Sequence, residues 1–143
     1  MRIYPGISVI NLAVADLASA VRFYERLGFR RSRKDDEPEI ALFELNNIVL
    51  ALRGAPARES TRAPLSSDAP ASVSLAQYHP SAAAAAAALK AAGRAGARLL
   101  AEKRPAPKGG VQGAFADGDG HVWEVVYDPS YSVAVDGTLC LRP

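Results

Sequence analysis

A single cysteine, Cys140, stands in this chain of 143 residues. No disulfide can form within it, so packing alone must hold the fold. Histidine is almost as scarce, with only His79 and His121, and no Cys/His cluster has zinc spacing. Long apolar runs are missing. None approaches the ~20 residues that cross a bilayer, and Met1-Arg2-Ile3-Tyr4-Pro5-Gly6 leads into a short alternating segment rather than a signal-peptide core. An excess of one charge is missing too: 17 basic against 15 acidic residues leave +2. That balance gives no footprint for nucleic acid or an anionic membrane. The basic run Arg30-Arg31-Ser32-Arg33-Lys34 is answered at once by Asp35-Asp36-Glu37 and reads as a solvated strand end. No serine has a G-x-S-x-G setting, and Cys140 has neither a helix N-terminus nor a histidine beside it, so covalent catalysis has no support. Lys108-Gly109-Gly110 precedes no helix, which rules out a phosphate loop. It reads as a flap beside a binding groove. The expected setting is a reducing cytoplasm.

What is present suits a globular protein: 49% hydrophobic and 22% charged residues. A single domain, residues 1–143, is expected, and a domain of this size buries roughly 68–70% of its unfolded surface. Ile7–Val14 is apolar and β-branched and reads as a strand. Asp16 is placed to cap a helix carrying Leu17, Ala20, Val21 and Tyr24, which Gly28 ends. Phe29–Lys34 reads as a strand. Glu39–Glu44 and Ile48–Arg53 read as a hairpin about Asn46-Asn47, residues that tolerate φ > 0. Residues 54–71 hold Pro56, Pro64 and Pro70 among serines and threonines, and read as a linker. The order then repeats. Ser72–Tyr78 is a strand. Pro80–Ala92 is a helix with Gly93 at its stop, its alanine run suited to lie close on a sheet. Ala97–Ala101, Gln112–Ala116 and Val122–Tyr127 follow as strands, with a tail over 128–143. Module one spans 7–53 and module two 72–127.

The richest stretch is Phe115-Ala116-Asp117-Gly118-Asp119-Gly120-His121-Val122-Trp123-Glu124-Val125-Val126-Tyr127. It reads strand, Asp/Gly turn, strand, with Gly118 and Gly120 supplying φ > 0. Glu124 shares a strand face with Val122 and Val126, and a carboxylate among apolar neighbours is costly unless it is paired or bound. Trp123 points to the other face, into the core. Asp16 reads as a cap, His79 as a surface or capping residue ahead of Pro80, and His121 as an exposed residue at the strand start.

Two segments carry a resemblance. Val14-Ala15-Asp16-Leu17-Ala18-Ser19-Ala20-Val21-Arg22-Phe23-Tyr24-Glu25-Arg26-Leu27-Gly28-Phe29 resembles the helix segment of the vicinal oxygen chelate superfamily, which includes glyoxalase I, bleomycin-resistance proteins and extradiol dioxygenases. Phe115–Glu124 is similar to that superfamily's terminal hairpin, and Asp128-Pro129 to Asp136-Gly137 resembles a glyoxalase-like subgroup without assigned substrates. The resemblance implies an α+β fold. Its two β-α-β-β-β modules form a curved sheet groove, with helices on the convex side. In metal-using relatives four ligands converge in the groove. The corresponding positions here are Val9, Ala51, Val73 and Glu124. Three are apolar, and one carboxylate cannot hold a catalytic divalent ion. Positions two residues along keep the same strand face. They bring Asn11, Arg53, Leu75 and, one step further, Gln77. Asn11, Arg53, Gln77 and Glu124 are the candidate ligand-binding cluster, with an Arg53–Glu124 pairing as one arrangement.

Two functions follow as expectations. One is a metal-free protein of the bleomycin-resistance kind, without cofactor, a homodimer that holds a small apolar or aromatic ligand. The other is a glyoxalase-like lyase or isomerase, or a dioxygenase-like enzyme. There Glu124, the one candidate catalytic residue, works as a general base, and a divalent metal enters only in that reading.

Overall fold

Asp16 starts the first helix through its carboxylate. Oδ1 accepts from the backbone N–H of Ala18 at 3.1 Å and of Ser19 at 3.4 Å, and Oδ2 accepts from Ser19 Oγ at 2.9 Å. Those bonds satisfy donors that any helix start leaves open. The Ser19 hydroxyl foremost, then its N–H, holds the Asp16 carboxyl below the ordinary carboxylate range. The helix, α1 (Leu17–Arg26), buries Ala20, Val21, Phe23 and Tyr24 along one stripe. It stops where Gly28 takes a φ of 95°.

The computed structural model describes residues 5–32, 37–54 and 73–141. The chain divides into two compact units, residues 1–64 and 65–143. In the first, β1 (Val9–Ala13), β2 (Arg30–Ser32), β3 (Ile40–Glu44) and β4 (Val49–Arg53) form one sheet in the order β1-β4-β3-β2. β1 runs parallel to β4, and the other pairs are antiparallel. α1 covers one face of this sheet. Tyr24, Phe29 and Phe43 meet there with ring centroids 5.5–6.5 Å apart, beside fully buried Leu50 and Leu52.

The second unit repeats the plan. β5 (Leu75–Tyr78), β6 (Arg98–Pro105), β7 (Val111–Ala116) and β8 (Val122–Tyr127) lie in the order β5-β8-β7-β6, again with the first pair parallel. α2 (Ala82–Ala95) is capped by Ser81, whose Oγ accepts from Ala84 N–H at 3.0 Å. Its alanines let it lie close to the sheet: a methyl group added at Gly113 of β7 would sit 2.6 Å from Leu89 Cδ1 of α2. Trp123 and Phe115 stack under the helix with centroids 6.3 Å apart and rings 9° from parallel. A short antiparallel pair, β9 (Ser132–Val133) and β10 (Leu139–Cys140), follows. Two β-α-β-β-β modules, each with its helix on one sheet face, are as the sequence pattern implies.

Several local expectations are corrected. α2 runs past Gly93 to Ala95, and Gly96 makes the left-handed cap with a φ of 103°. Burial of Ala92 and Ala95 outweighs the cost of about 1 kcal/mol for a glycine inside a helix. Among the described residues other than glycine, only Glu39 and Lys108 have positive φ. The Asn46-Asn47 turn therefore closes without it, by Leu45 N–H donating to Ile48 O at 3.0 Å. Gly120 has positive φ and Gly118 does not. Asp117 Oδ1 accepts from both Asp119 and His121 N–H, and this shapes the turn instead. Lys108-Gly109-Gly110 is the turn joining β6 to β7, closed by Ala106 N–H on Gly110 O at 3.0 Å. β6 is eight residues rather than five, with its register broken between Leu99 and Arg104. The linker read over 54–71 lies outside the described residues, save Gly54.

Candidate functional site

Each sheet has a face turned away from its helix, and these open faces hold the candidate residues. In the first module the backbone register sets Asn11 beside Ala51 and Ala13 beside Arg53. Since side chains alternate, Val9, Asn11, Ala13, Val49, Ala51 and Arg53 share the open face. Ile10, Leu12, Leu50 and Leu52 turn to α1. Asn11 and Arg53 meet: Arg53 Nε donates to Asn11 Oδ1 at 2.7 Å. Ala51 beside them is 1% exposed, whereas Val9 further along is 43% exposed.

In the second module Glu124 lies between Ala76 of β5 and Ala114 of β7. It is exposed and accepts from Ser74 Oγ at 2.7 Å. The register divides residues that spacing alone had put together. Gln77 pairs with Val125, so it stands on the helix-facing side with Trp123, away from Glu124. Val73 has the same parity as Leu75 and Gln77 and is 72% exposed ahead of the strand. Arg53 and Glu124 each have a neutral hydrogen-bond partner inside their own module.

Backbone pairing also matches the modules to each other. Val14 N–H donates to Arg53 O at 2.9 Å, and His79 N–H donates to Val126 O at 2.8 Å. Counted back from those bonds, Ala51 corresponds to Glu124 and Val9 to Ser74. Ser74, not Val73, is therefore the partner position of Glu124. The sequence reading missed it by one residue, and one residue moves a side chain to the other face. The signal available was weak: a lone serine in the apolar run Val73-Ser74-Leu75.

The ligand positions implied by the resemblance are thus Val9, Ala51, Ser74 and Glu124. Valine and alanine have no donor atom. Among the described residues no group of three His, Cys, Asp or Glu side chains could hold an ion. A catalytic divalent ion takes about three protein ligands, so this donor set does not fit the superfamily's metal. On these faces a guanidinium in one module, Arg53, and a carboxylate in the other, Glu124, are each oriented by a neutral hydrogen-bond partner.

His79 is not the surface residue expected. Its Nε2 is buried without a hydrogen-bond partner among the described residues, and burial holds its pKa below the ordinary 6.5. The unfolded chain then binds the proton more tightly. Stability should be full above about pH 6.5 and should fall as pH drops through the lower folded value. His79→Phe keeps a ring and removes the titration. Urea melts at pH 5 and pH 7.5 should show a smaller difference in the variant than in the parent. Equal differences would remove His79 as the cause.

Residues 6–125 match the family described as Glyoxalase/Bleomycin resistance protein/Dioxygenase superfamily. No curated protein matches the chain. Among solved structures, a glyoxalase-related enzyme from Fulvimarina pelagi is 28% identical with a TM-score of 0.84, over 98% of this chain and all of that one. A glyoxalase/bleomycin resistance protein/dioxygenase from Nocardioides is 26% identical with a TM-score of 0.70, covering 89% of this chain and 85% of the other. A lactoylglutathione lyase from Agrobacterium tumefaciens is 20% identical with a TM-score of 0.64, over 87% of this chain and 95% of that one. This last likeness is one of fold alone.

Proposed function

Because this chain belongs to the Glyoxalase/Bleomycin resistance protein/Dioxygenase superfamily, we propose that it is a metal-independent protein that binds a small apolar or aromatic molecule on the open faces of its sheets. One observation carries this reading: each module holds a charged group by a neutral hydrogen-bond partner. Arg53 is held by Asn11 and Glu124 by Ser74, both at 2.7 Å. A charge committed to an opposite charge is spent on structure. A charge oriented by an amide or a hydroxyl on an apolar floor remains available to a ligand. The donor chemistry at Val9 and Ala51 argues against a metal-dependent reaction. A protein of this size with apolar strand faces is proposed to pair with a second copy, and light scattering that gives a 15.1 kDa monomer would contradict that.

The test is a thermal-shift screen on the purified protein together with Glu124→Gln and Ser74→Ala. A ligand at 100 times its Kd adds about 2.7 kcal/mol to the folded state. Both substitutions are at exposed positions and should change the stability of the free protein by no more than about 0.5 kcal/mol. Either should weaken ligands that need the carboxylate. A stoichiometric divalent metal that Glu124→Gln strips would overturn the reading. The enzymatic alternative rests on Glu124 as a general base, positioned by Ser74. It predicts that Glu124→Gln binds substrate normally and fails to turn it over.

A further inference from the structure

Arg53 is a half-buried cation on an apolar strand face, and among the described residues it has no acidic partner. Among the described residues its side chain makes one hydrogen bond, from Nε to Asn11 Oδ1 at 2.7 Å. A guanidinium carries five N–H donors in a rigid fork. With Nε taken, the end of the fork formed by the two terminal nitrogens is open, and that end meets a carboxylate through two parallel bonds.

Among the described residues the local acids are turned elsewhere. Glu39 is next to Ile40, the residue that faces Arg53 across β3 and β4. Its backbone carbonyl accepts from Gly54 N–H at 2.7 Å. Its side chain lies over Gly54, where an added methyl group would overlap Glu39 Oε2. Gly54 is one residue past Arg53, so Glu39 sits on the other side of the strand. There Glu39 and Asp16 line a cleft with Arg31, while Arg53 receives a neutral amide. Glu44 is on the same face as Arg53 but four residues along β3 from Ile40, about 13 Å of strand. A charge drawn partly out of water without a counter-charge raises the free energy of the empty protein, and an incoming anion removes that cost.

The geometry points to a carboxylate site on the open face of the first module. Arg53 takes the carboxylate end-on, Asn11 fixes the plane of the fork, and half-buried Ala13 and Leu42 take the apolar body of the ligand. The ligand class is a small carboxylic acid with an aromatic or alkyl body. This inference rests on the small-molecule reading above, whose failure is separable from its own.

Calorimetric titration with matched pairs tests it: phenylacetate against phenylacetamide, and octanoate against octanamide, with inorganic phosphate as the anion without a body. The acids should bind about tenfold or more tightly than their amides, and tighter than phosphate. Arg53→Met should abolish the preference for acid over amide. Arg53→Lys, which keeps the charge and loses the fork, should recover only part of it. Asn11→Ala should weaken the acids several-fold and leave the amides unchanged. Thermal melts of each variant show that it is folded. Acids and amides binding alike, or phosphate matching the acids, would overturn the carboxylate site while leaving small-molecule binding intact. If neither these probes nor the ligands of the thermal-shift screen bind, the small-molecule reading falls with it.

Discussion

Phe43→Ala should cost about 3–5 kcal/mol of folding stability, the range for deleting a large buried aromatic ring. Phe43 is fully buried in the middle of β3. Its ring packs against Tyr24 of α1 at 6.1 Å and Phe29 at 6.5 Å, and its backbone partner across the sheet is fully buried Leu50. The loss has two parts: the apolar surface no longer taken from water, and the space left behind. Rigid neighbours cannot collapse into that space, and here two of them are rings fixed by a helix and its exit. Phe43→Leu retains much of the volume and should cost clearly less. Urea unfolding of the two variants measures the difference. A loss for Phe43→Ala below about 1 kcal/mol would mean that this aromatic cluster does not hold α1 to its sheet.

Gly113→Ala should cost about 1–3 kcal/mol, the range for forcing extra volume into a packed core. The added methyl would come within 2.6 Å of Leu89 Cδ1 and 3.1 Å of the Ala101 carbonyl oxygen. Leu89 is buried on α2 and can give way only by moving the helix or leaving its rotamer. The carbonyl belongs to β6 and can give way only by bending the sheet. Pairing the substitution with Leu89→Ala separates these causes. Leu89→Ala alone should be destabilising because it opens a cavity. The double variant should be more stable than the two single losses together imply, because the new methyl enters that cavity. Strict additivity would show that the strain lies against Ala101 rather than against the helix. A neutral Gly113→Ala would show that α2 does not sit as close to the sheet as described.

The element order was legible in the sequence because it is written in local terms. Asp16 is a good cap wherever its chain goes, since it reaches only its own next residues. Tyr24, Val21 and Ala20 mark a helix face by spacing alone. Val122 to Tyr127 alternates, and so placed Glu124 and Trp123 on opposite faces before any partner was known. Boundaries were less legible. Gly93 reads as a stop, and only the burial of Ala92 and Ala95 against the sheet carries α2 beyond it.

The polar contacts of the site were legible in part. Asn11 and Arg53 were found by parity, because each lies two residues from a position the resemblance pointed to. Ser74 was missed and Gln77 wrongly joined to Glu124, and the reason is the same for both. β5 is only four residues long and its neighbours are apolar on both faces, so its pattern does not say which parity faces the helix. The sequence by itself determined the repeated β-α-β-β-β order and the apolar residues at Val9 and Ala51. Those properties depend on residue type and on contacts within a few positions. Only the tertiary structure decided the register of β5 on β8, the meeting of Ser74 with Glu124, the burial of His79 Nε2, and the turning of Glu39 away from Arg53. Each of these depends on strands far apart in the chain lying side by side, and sliding either strand by one residue would reverse the face of every side chain on it.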